Sequence, residues 1–508
     1  MSVLKDSELL YERGIYPQST YVFKHALTQD SVYQSLLKSA CQKYHFRIAQ
    51  TLEKHFPEIT NVNPEVLGHH FTEAGKIEQA IPYWQKAGEI AIRRSAYIEA
   101  IGHLKNGLEL LKALPGEPTP ERIELELRLQ VALGNALIAT KGYADPEVGE
   151  TFSCASELCL QEDKSPQLFQ VLHGLARFHI VRTELQKTRD LGEQLLRWAK
   201  HRQDAVLFLS AHQLIGTALW FMGNFSIAQD QFEQGFSYYD PQQHKSYIDL
   251  TDEDQGVICL SYMAWNLWLL GFPDRSLKKC RKALTLAHKL SHPLSTVFAQ
   301  SYAAILHIYR QEPLKVQEHA EAAIALASEQ GFEFFTAFAE MFLGLAQSSM
   351  GQNEEGLALI RRSLDDWQAT GARLGGTQFR VFLAEAYGKA GNFESGFSVF
   401  AENLSEIQKN EERLGEAELY RVKGELLLMQ YHAEAEAENC FKQGIEISKR
   451  QCAKSLELRS SISLSRLWQT QGKYKDAKRV LTEIYNWFDE GFNTADLKEA
   501  RSILEFLS

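Results

Sequence analysis

The sequence has no hydrophobic run long enough to cross a membrane. A transmembrane helix requires about 20 consecutive apolar residues, whereas the apolar residues here, 44% of the 508-residue chain, are interspersed with polar ones. The first residues, MSVLKDSELLYERG, also lack the apolar segment of a secretory signal peptide. These absences predict a cytoplasmic protein that does not bind membranes.

Paired cysteines and a basic excess are also missing. The seven cysteines are scattered, and none form a C-x-x-C pair, so we expect small buried side chains rather than a disulfide framework. The formal net charge is −11, which disfavours nucleic-acid binding because such binding requires clustered Lys and Arg. A DNA-linked regulator is therefore the least favoured alternative.

Common catalytic and metal-binding signatures do not occur in the sequence. It contains no G-x-S-x-G, no H-E-x-x-H and no G-x-x-x-x-G-K-[ST] phosphate loop. His69 and His70 are adjacent, and we expect neighbouring side chains on a helix to point in different directions, which argues against a shared metal. These observations predict a protein that is not an enzyme and has no cofactor and no metal site.

The segment 239–256 is polar and contains an acidic run. The run consists of Asp249, Asp252, Glu253 and Asp254. Its oxygen ligands lack the alternate spacing of a calcium-binding loop, and no Glu follows at the required distance. We therefore expect a solvated loop.

The most regular feature of the sequence is a repeat with a period of about 40 residues, a length within the range of helical repeat proteins. A small residue recurs at the same point of an amphipathic helical pattern, at Gly134, Gly174, Gly216, Ala264, Ala304, Gly344, Ala384, Gly424 and Ser465. Self-similarity at a fixed period is typical of a solenoid, which usually serves as a binding surface. No Asn-Gly hairpin signal interrupts the helical pattern.

One copy, residues 261–290, illustrates the repeat unit. Its first helix carries Ala264 and is expected to end near Gly271, and Pro273 suits the start of a second helix. The small residues at fixed positions resemble those of the tetratricopeptide repeat (TPR), although the period of that repeat is shorter, at about 34 residues. We therefore predict an all-α, right-handed superhelical solenoid of TPR-like helix-turn-helix repeats with longer helices or loops.

Two stretches carry a more specific resemblance. YVFKHALTQDSVYQSLLKSACQKYHFRIAQTLEKHFPE (21–58) with LGHHFTEAGKIEQAIPYWQKAGEIA, and the later AELYRVKGELLL, resemble the C-terminal region of bacterial STAND/AAA-type predicted ATPases. Those proteins are often fused to adenylate or guanylate cyclase domains. The resemblance implies a winged-helix-like remnant of an ATPase module at 1–58, first TPR-like repeats at 59–115, and a TPR-like array at 121–508.

The same resemblance gives His25 a conditional role. A histidine in a similar setting of STAND ATPases contacts the phosphates of the bound nucleotide. His25 would do so here only with an ATPase domain supplied in trans; the alternative is a histidine packed inside the winged-helix remnant.

The repeat geometry predicts a partner-binding groove. In TPR arrays the first helix of each unit lines the concave face, and residues one, four and five positions after the small landmark tend to face inward. This rule selects Trp220, Phe221, Trp265, Trp268 and Tyr309, and large aromatics are favoured anchors for bound peptides. The alternative is that they fill space between helices. A more polar patch follows at Arg421, Glu425, Arg466 and Gln469.

The sequence thus predicts a non-catalytic protein-interaction scaffold or ligand-sensing module of a bacterial signalling protein, with a protein or peptide partner in the concave groove. The alternative is the C-terminal regulatory part of a split or truncated ATPase or adenylate cyclase. In that case the catalytic domains lie on another chain, and that polypeptide is itself a partner.

Overall fold

A computed structural model describes residues 10–13, 20–23, 31, 33–159, 167–251 and 253–507. The chain divides into two compact units, Met1–Leu133 and Gly134–Ser508. Among the described helices, none combines the length and the apolar character required to cross a membrane.

The N-terminal unit consists of a small hairpin followed by paired helices. Its elements are β1 (Leu10–Arg13), β2 (Thr20–Phe23), α1 (Lys38–His55), α2 (Pro57–Val62), α3 (Pro64–Glu73), α4 (Ile77–Arg93), α5 (Tyr97–Lys112) and α6 (Pro120–Lys141), which contains the boundary between the units. Helices α3, α4 and α5 pack in sequence. The core of this unit includes Ala49, Leu67, Phe71, Ala80 and Trp84.

The hairpin was not anticipated from the sequence. β1 and β2 pair antiparallel, from Leu10 opposite Phe23 to Arg13 opposite Thr20. The residues between them, 14–19, read GIYPQS and contain no two-residue Asn-Gly connection, so the usual hairpin signal is absent. Apart from these two four-residue strands, the described elements are helices, which confirms the all-α prediction for the repeats.

The C-terminal unit is built from helices arranged in pairs. They are α7 (Pro146–Cys159), α8 (Leu168–Val181), α9 (Leu185–Arg202), α10 (Ala205–Phe221), α11 (Phe225–Ser237), α12 (His244–Thr251), α13 (Gln255–Leu269), α14 (Pro273–Leu290), α15 (Pro293–Tyr309), α16 (Pro313–Gln330), α17 (Glu333–Ser349), α18 (Asn353–Ala369), α19 (Gly376–Lys389), α20 (Phe393–Asn410), α21 (Glu416–Tyr431), α22 (Glu434–Arg450), α23 (Lys454–Thr470), α24 (Tyr474–Tyr485) and α25 (Ala495–Phe506).

The two helices of a pair occupy different layers. Every residue of α13 is buried, whereas α14 buries only a stripe of small residues that includes Ser276, Cys280 and Ala283. A helix buried all round belongs to an inner layer, and one with a single buried stripe lies outside it. The first helices α8, α10, α13, α15, α17, α19, α21 and α23, followed by α25, each contact the next and form the inner layer of this unit.

Longer helices, rather than longer loops, explain why the period exceeds that of a TPR. In the pair α15 and α16, the helices have 17 and 18 residues, and together they fill nearly the whole repeat. The small landmarks allow the paired helices to approach closely. A Cβ at Gly344 would lie 2.9 Å from the Gly356 carbonyl oxygen, and one at Gly424 would clash with the Phe441 ring.

The inner helices of this unit also bond to repeats much further along the chain. The Val181 carbonyl, at the end of α8, accepts hydrogen bonds from the amides of Arg373 and Leu374 at 2.8 and 2.9 Å. The Trp268 carbonyl accepts one from Ser455 Oγ at 2.5 Å, across 187 residues. One turn of the superhelix therefore stacks directly on the next, at the C-terminal ends of its first helices.

The predicted solvated loop at 239–256 is instead largely structured and partly buried. It contains a 3₁₀ turn at Pro241–Gln243 and helix α12. Glu253 and Asp254 are 2% and 0% exposed, and Asp254 Oδ1 caps α13 by accepting the Val257 amide at 3.0 Å. The solvated-loop interpretation of these two acids is therefore wrong, because their oxygens find partners within the fold. Asp252 lies outside the described residues.

The cysteines agree in part with the sequence interpretation. Cys159, Cys259, Cys280 and Cys440 are buried, whereas Cys154 and Cys452 are exposed. Burial raises the pKa of the Cys280 thiol to about 12, so this side chain acts as an apolar filler between α14 and its neighbours.

Candidate functional site

The inner face of the C-terminal unit encloses an aromatic cavity of about 60 Å³. We call it the aromatic cavity. It is lined by Tyr143, Arg177, Ile180, Val181, Gln213, Leu214, Thr217, Phe221, Tyr262, Trp265, Phe298, Tyr302, Phe334, Phe335, Phe338, Trp367, Leu374, Gly375 and Phe379. Most of these residues come from inner helices α8 to α19. Its volume suits the end of one apolar side chain.

A buried ion pair lies in the wall of the aromatic cavity. Both terminal guanidinium nitrogens of Arg177, Nη1 and Nη2, donate to the carboxylate of Glu253, with Nη2 lying 2.6 Å from Oε1. The Tyr143 hydroxyl donates to the same carboxylate, and Arg177 lies over the Tyr143 ring at 4.5 Å. Burial opposes the charge of Arg177, but Glu253 more than offsets this and raises the arginine pKa. Arg177 therefore stays charged inside an aromatic shell.

Gln213 carries one of the buried polar atoms in this wall that have no protein partner. Gln213 is 2% exposed, and its Nε2 donates to Thr217 Oγ1 at 2.9 Å. Its Oε1 is buried and accepts no hydrogen bond from the protein. A buried acceptor without a donor costs about 1–3 kcal/mol, so a ligand that brings an N–H group would gain this bond without competition.

A second, larger cavity of about 590 Å³ follows along the inner helices. We call it the charged cavity. Its ionisable lining residues are His307, Glu312, Glu385, Lys389, Glu418, Arg421, Arg459, Arg466, Asp496 and Glu499. Helices α15, α17 and α19 contribute to both cavities, so the aromatic cavity and the charged cavity lie one after the other on the same surface.

The cations of the charged cavity are held by neighbouring carboxylates. Arg421 Nη2 lies 2.9 Å from Glu418 Oε2, and Arg459 Nε lies 3.0 Å from Asp496 Oδ2. Burial opposes the charge of Arg421, but Glu418 and then Glu385 more than offset it and raise its pKa. The lining combines carboxylates with permanent cations in nearly equal number, so it suits a ligand segment of mixed charge.

The five aromatics selected from the repeat pattern lie on inner helices, and each of them is at most 3% exposed. Phe221 and Trp265 line the aromatic cavity. Trp220, Trp268 and Tyr309 are only 0%, 2% and 1% exposed. Trp220 packs edge-on against Trp265, with ring centroids 4.4 Å apart.

The next superhelical turn covers Trp268 and Tyr309. The Arg459 guanidinium lies 4.9 Å from the Trp268 ring centroid and 5.6 Å from that of Tyr309, and it donates to the Tyr309 carbonyl at 2.6 Å. Partner contacts by these two aromatics remain predictions that require the two turns to separate. The nucleotide-sensing candidate His25 lies outside the described residues.

Two residues of the predicted polar patch, Arg421 and Arg466, line the charged cavity. Glu425 lies beside them and accepts a hydrogen bond from Ser463 Oγ at 2.6 Å. The landmark rule thus selected two residues that line this cavity, and their contact with a partner stays a prediction. It missed the Arg177–Glu253 pair, because two residues so distant in the sequence give no signal of their contact.

The N-terminal unit holds the one group among the described residues whose side chains could share a metal ion: His45, His69 and His70. The sequence analysis considered only the divergence of His69 and His70 and did not predict that His45, on α1, lies beside both of them. The ring centroid of His45 lies 5.7 Å from that of His69 and 5.0 Å from that of His70, and the His69 and His70 centroids are 5.4 Å apart.

Comparison with known proteins shows the fold class. No protein-family model matches the chain. An uncharacterised protein of Rhizobium meliloti (strain 1021) is 22% identical over 453 residues, which cover 89% of this chain and 44% of that protein. The chain thus spans less than half the length of this relative.

Among solved structures, a Rap protein complexed with Competence and Sporulation Factor has 13% identity and a TM-score of 0.53, covering 73% of this chain and 98% of that one. Cut9–Hcn1 of the APC/C has 12% identity and a TM-score of 0.46, covering 95% and 99%. The paired helices, together with the likeness to the Rap structure, show that the protein is a superhelical solenoid of TPR-like helical repeats.

Proposed function

We propose that the C-terminal unit is a non-catalytic scaffold or sensor that binds an extended segment of a partner protein on its inner face. The segment would place one apolar side chain in the aromatic cavity and neighbouring charged residues in the charged cavity. The observation that carries this proposal is the succession of the two cavities along the same inner helices, α15, α17 and α19.

The polar groups of the site favour a peptide over a hydrocarbon ligand. A peptide backbone supplies N–H donors, and Gln213 Oε1 is a buried acceptor that lacks one. The side chains of Lys389 and Arg466 remain 40% and 52% exposed although each is paired with a glutamate. They can exchange these partners for charged groups of a ligand. The Rap structure, complexed with Competence and Sporulation Factor, offers a precedent for ligand binding by this fold.

The experiment is a selection of peptides from a displayed random library on the purified chain, followed by fluorescence anisotropy with one labelled peptide. We expect Arg466→Ala and Gln213→Leu each to weaken binding at least about fivefold, since a charged contact or a buried hydrogen bond is lost. Arg479→Ala, a change of an exposed arginine outside both cavities, serves as the control. Equal affinities for all four proteins would exclude the two cavities as the binding site.

The signalling context is a wider proposal. The R. meliloti relative is more than twice as long as its matched region, and the resemblance of residues 21–58 implies a winged-helix-like remnant of an ATPase module at 1–58. We therefore keep, as a second candidate, a regulatory part of an ATPase or cyclase whose catalytic domains lie on another chain.

This second candidate is tested by purifying the chain from its native lysate and identifying retained proteins by mass spectrometry. A retained polypeptide with a phosphate loop, released by His25→Ala, would support it. If no such polypeptide is retained, the candidate fails, and the groove proposal stands on the peptide experiment alone.

A further inference from the structure

Three histidines meet between α1 and α3 of the N-terminal unit. His45 is buried on α1, while His69 and His70 on α3 are exposed and half-buried. His45 Nδ1 and His70 Nδ1 are 2.8 Å apart. One ligand nitrogen of each ring lies within 4.8 Å of those of the other two.

This arrangement is close to that of a three-histidine metal site. Zinc binds imidazole nitrogens at about 2.0–2.1 Å in a tetrahedron, which places the nitrogens roughly 3.3 Å apart. The Nδ1 atoms of His45 and His70 would separate by about 0.5 Å to admit the ion, and His69 would move toward them. The exposed ring of His69 is free to make that adjustment.

A second group orients His45 for this role. The Tyr33 hydroxyl lies 2.9 Å from His45 Nε2, on the opposite side of the ring from the His70 contact. Metal-bound histidines commonly donate their other ring N–H to such a partner, which leaves the remaining nitrogen with its lone pair toward the metal. Here the Tyr33 contact leaves His45 Nδ1 as the ligand atom.

The surroundings of His45 and His70 disfavour protonation of both rings. Burial and the neighbouring histidines lower the pKa of both His45 and His70, and the Glu73 carboxylate opposes this shift. Glu73 follows His69 by one helical turn and places a negative charge near the site.

We infer that His45, His69 and His70 form a zinc site that joins α1 to α3, with an open fourth position for water. Imidazole ligands suit zinc among the common divalent metals, whereas magnesium and calcium prefer oxygen. A zinc ion at this site would cross-link α1 and α3 of the N-terminal unit through coordinate bonds. This inference does not depend on the peptide site in the other unit.

The test uses the full chain without a histidine tag, stripped of metal with a chelator. Zinc affinity is measured by competition with a chromophoric chelator, and Co²⁺ is added to detect the absorption bands of a tetrahedral site. We expect one strong site per chain, and a rise in melting temperature with zinc because the ion binds only the folded state.

The decisive variant is His69→Gln, since this exposed side chain can be changed without disturbing the core. It should weaken zinc binding at least about tenfold and abolish the cobalt bands. His55→Gln, at the exposed end of the same α1, should leave both unchanged. Absence of a strong site in the wild-type chain, or unchanged affinity in His69→Gln, would overturn the proposal and leave the His45–His70 contact as a hydrogen bond only.

Discussion

At the scale of single residues, a buried charge makes the stability of this fold sensitive to substitution of its partner. The Arg177–Glu253 pair lies inside an aromatic wall, where an unpaired charge has no solvent to stabilise it. Such a pair contributes little compared with an apolar replacement, but the loss of one partner is costly. Replacing only Arg177 or only Glu253 should therefore destabilise the fold more than replacing both together.

We predict that Glu253→Gln lowers the free energy of unfolding by about 3 kcal/mol or more, because Arg177 stays buried without its counter-charge. The measurement is urea denaturation followed by tryptophan fluorescence. Glu446→Gln, on the exposed face of α22, is the control. Adding Arg177→Met to Glu253→Gln should recover part of the loss; a single variant as stable as the control would contradict the argument.

A second prediction concerns Glu412, which is 1% exposed. Burial raises its pKa to about 8, although the Thr377 hydroxyl partly opposes the shift. An unfolded Glu titrates at about pH 4.3. Between these two values the folded chain holds a proton that the unfolded chain releases, so this group's contribution to stability falls by about 1.4 kcal/mol per pH unit as pH rises.

Glu412→Gln removes this proton linkage. We expect the variant to be more stable than wild type by about 2 kcal/mol or more at pH 8.5, with the difference disappearing toward pH 4.5. Denaturation curves at pH 4.5, 6.5 and 8.5 check this. The neighbouring exposed Glu411→Gln should show no pH-dependent difference. A constant offset for Glu412→Gln across the pH range would show that the buried carboxyl does not titrate as argued.

The sequence pattern predicted on which helices the aromatic side chains lie, but it did not predict how deeply these side chains are buried. The landmark rule placed Trp265 and Trp268 on inner helices, because a helical period fixes which side a residue faces. It did not reveal that Arg459 covers Trp268, since that contact joins residues from distant repeats. For the same reason Glu253 was assigned to solvent, because its partner Arg177 lies on a helix of a much earlier repeat.

At the scale of helices, packing depends on where small residues permit close approach. A Cβ added to Gly68 on α3 would lie 2.9 Å from the Trp84 ring, whereas one added to Gly102 on α5 meets nothing within 4 Å. Trp84 is also held by a hydrogen bond from Nε1 to Thr72 Oγ1 at 3.0 Å, so it does not yield easily.

Replacing these two glycines with alanine is therefore expected to change the stability of the N-terminal unit in opposite directions. Gly68→Ala should destabilise it by about 1–3 kcal/mol through overpacking. Gly102→Ala should stabilise it by up to about 1 kcal/mol, because alanine is the better helix former. Thermal unfolding of both variants under identical conditions provides the measurement, and a shift of the same sign in both would contradict the packing account.

The pairing of helices could be predicted from sequence because each repeat carries the same local signals. Pro273 begins α14 and Gly271 adopts a positive φ of 92° just before it, as the turn pattern indicated. The hairpin of β1 and β2 could not be predicted from the sequence, because its strands are short and the residues between them contain no Asn-Gly turn. The helices could therefore be predicted because their sequence signals recur in each repeat, whereas the hairpin, which has no repeated signal, could not.

At the scale of the whole C-terminal unit, stability depends on bonds between successive superhelical turns. Arg459 bonds at once to Tyr309 and Asp496, and it joins α15, α23 and α25. We predict that Arg459→Met costs about 1–3 kcal/mol and speeds amide hydrogen exchange at the ends of α13 and α15.

Hydrogen exchange with mass spectrometry tests this prediction. Arg479→Met changes an exposed arginine paired only within its own helix and should leave exchange at α13 and α15 unaltered. If Arg459→Met protects these ends as well as wild type does, the turns are held together by other contacts. This scale was the least accessible to sequence analysis, because contacts between such distant repeats leave no periodic trace.

The stacking of turns has an evolutionary consequence. In an open array, duplicating or deleting one repeat only changes its length, since each repeat meets only its neighbours. Here Val181 must meet Arg373, and Trp268 must meet Ser455. Removing one unit between them would offset every later pairing by one repeat. The number of repeats is thus inherited as a whole, and lineages carrying this unit should diverge by substitution and by insertion in loops rather than by gaining or losing repeats.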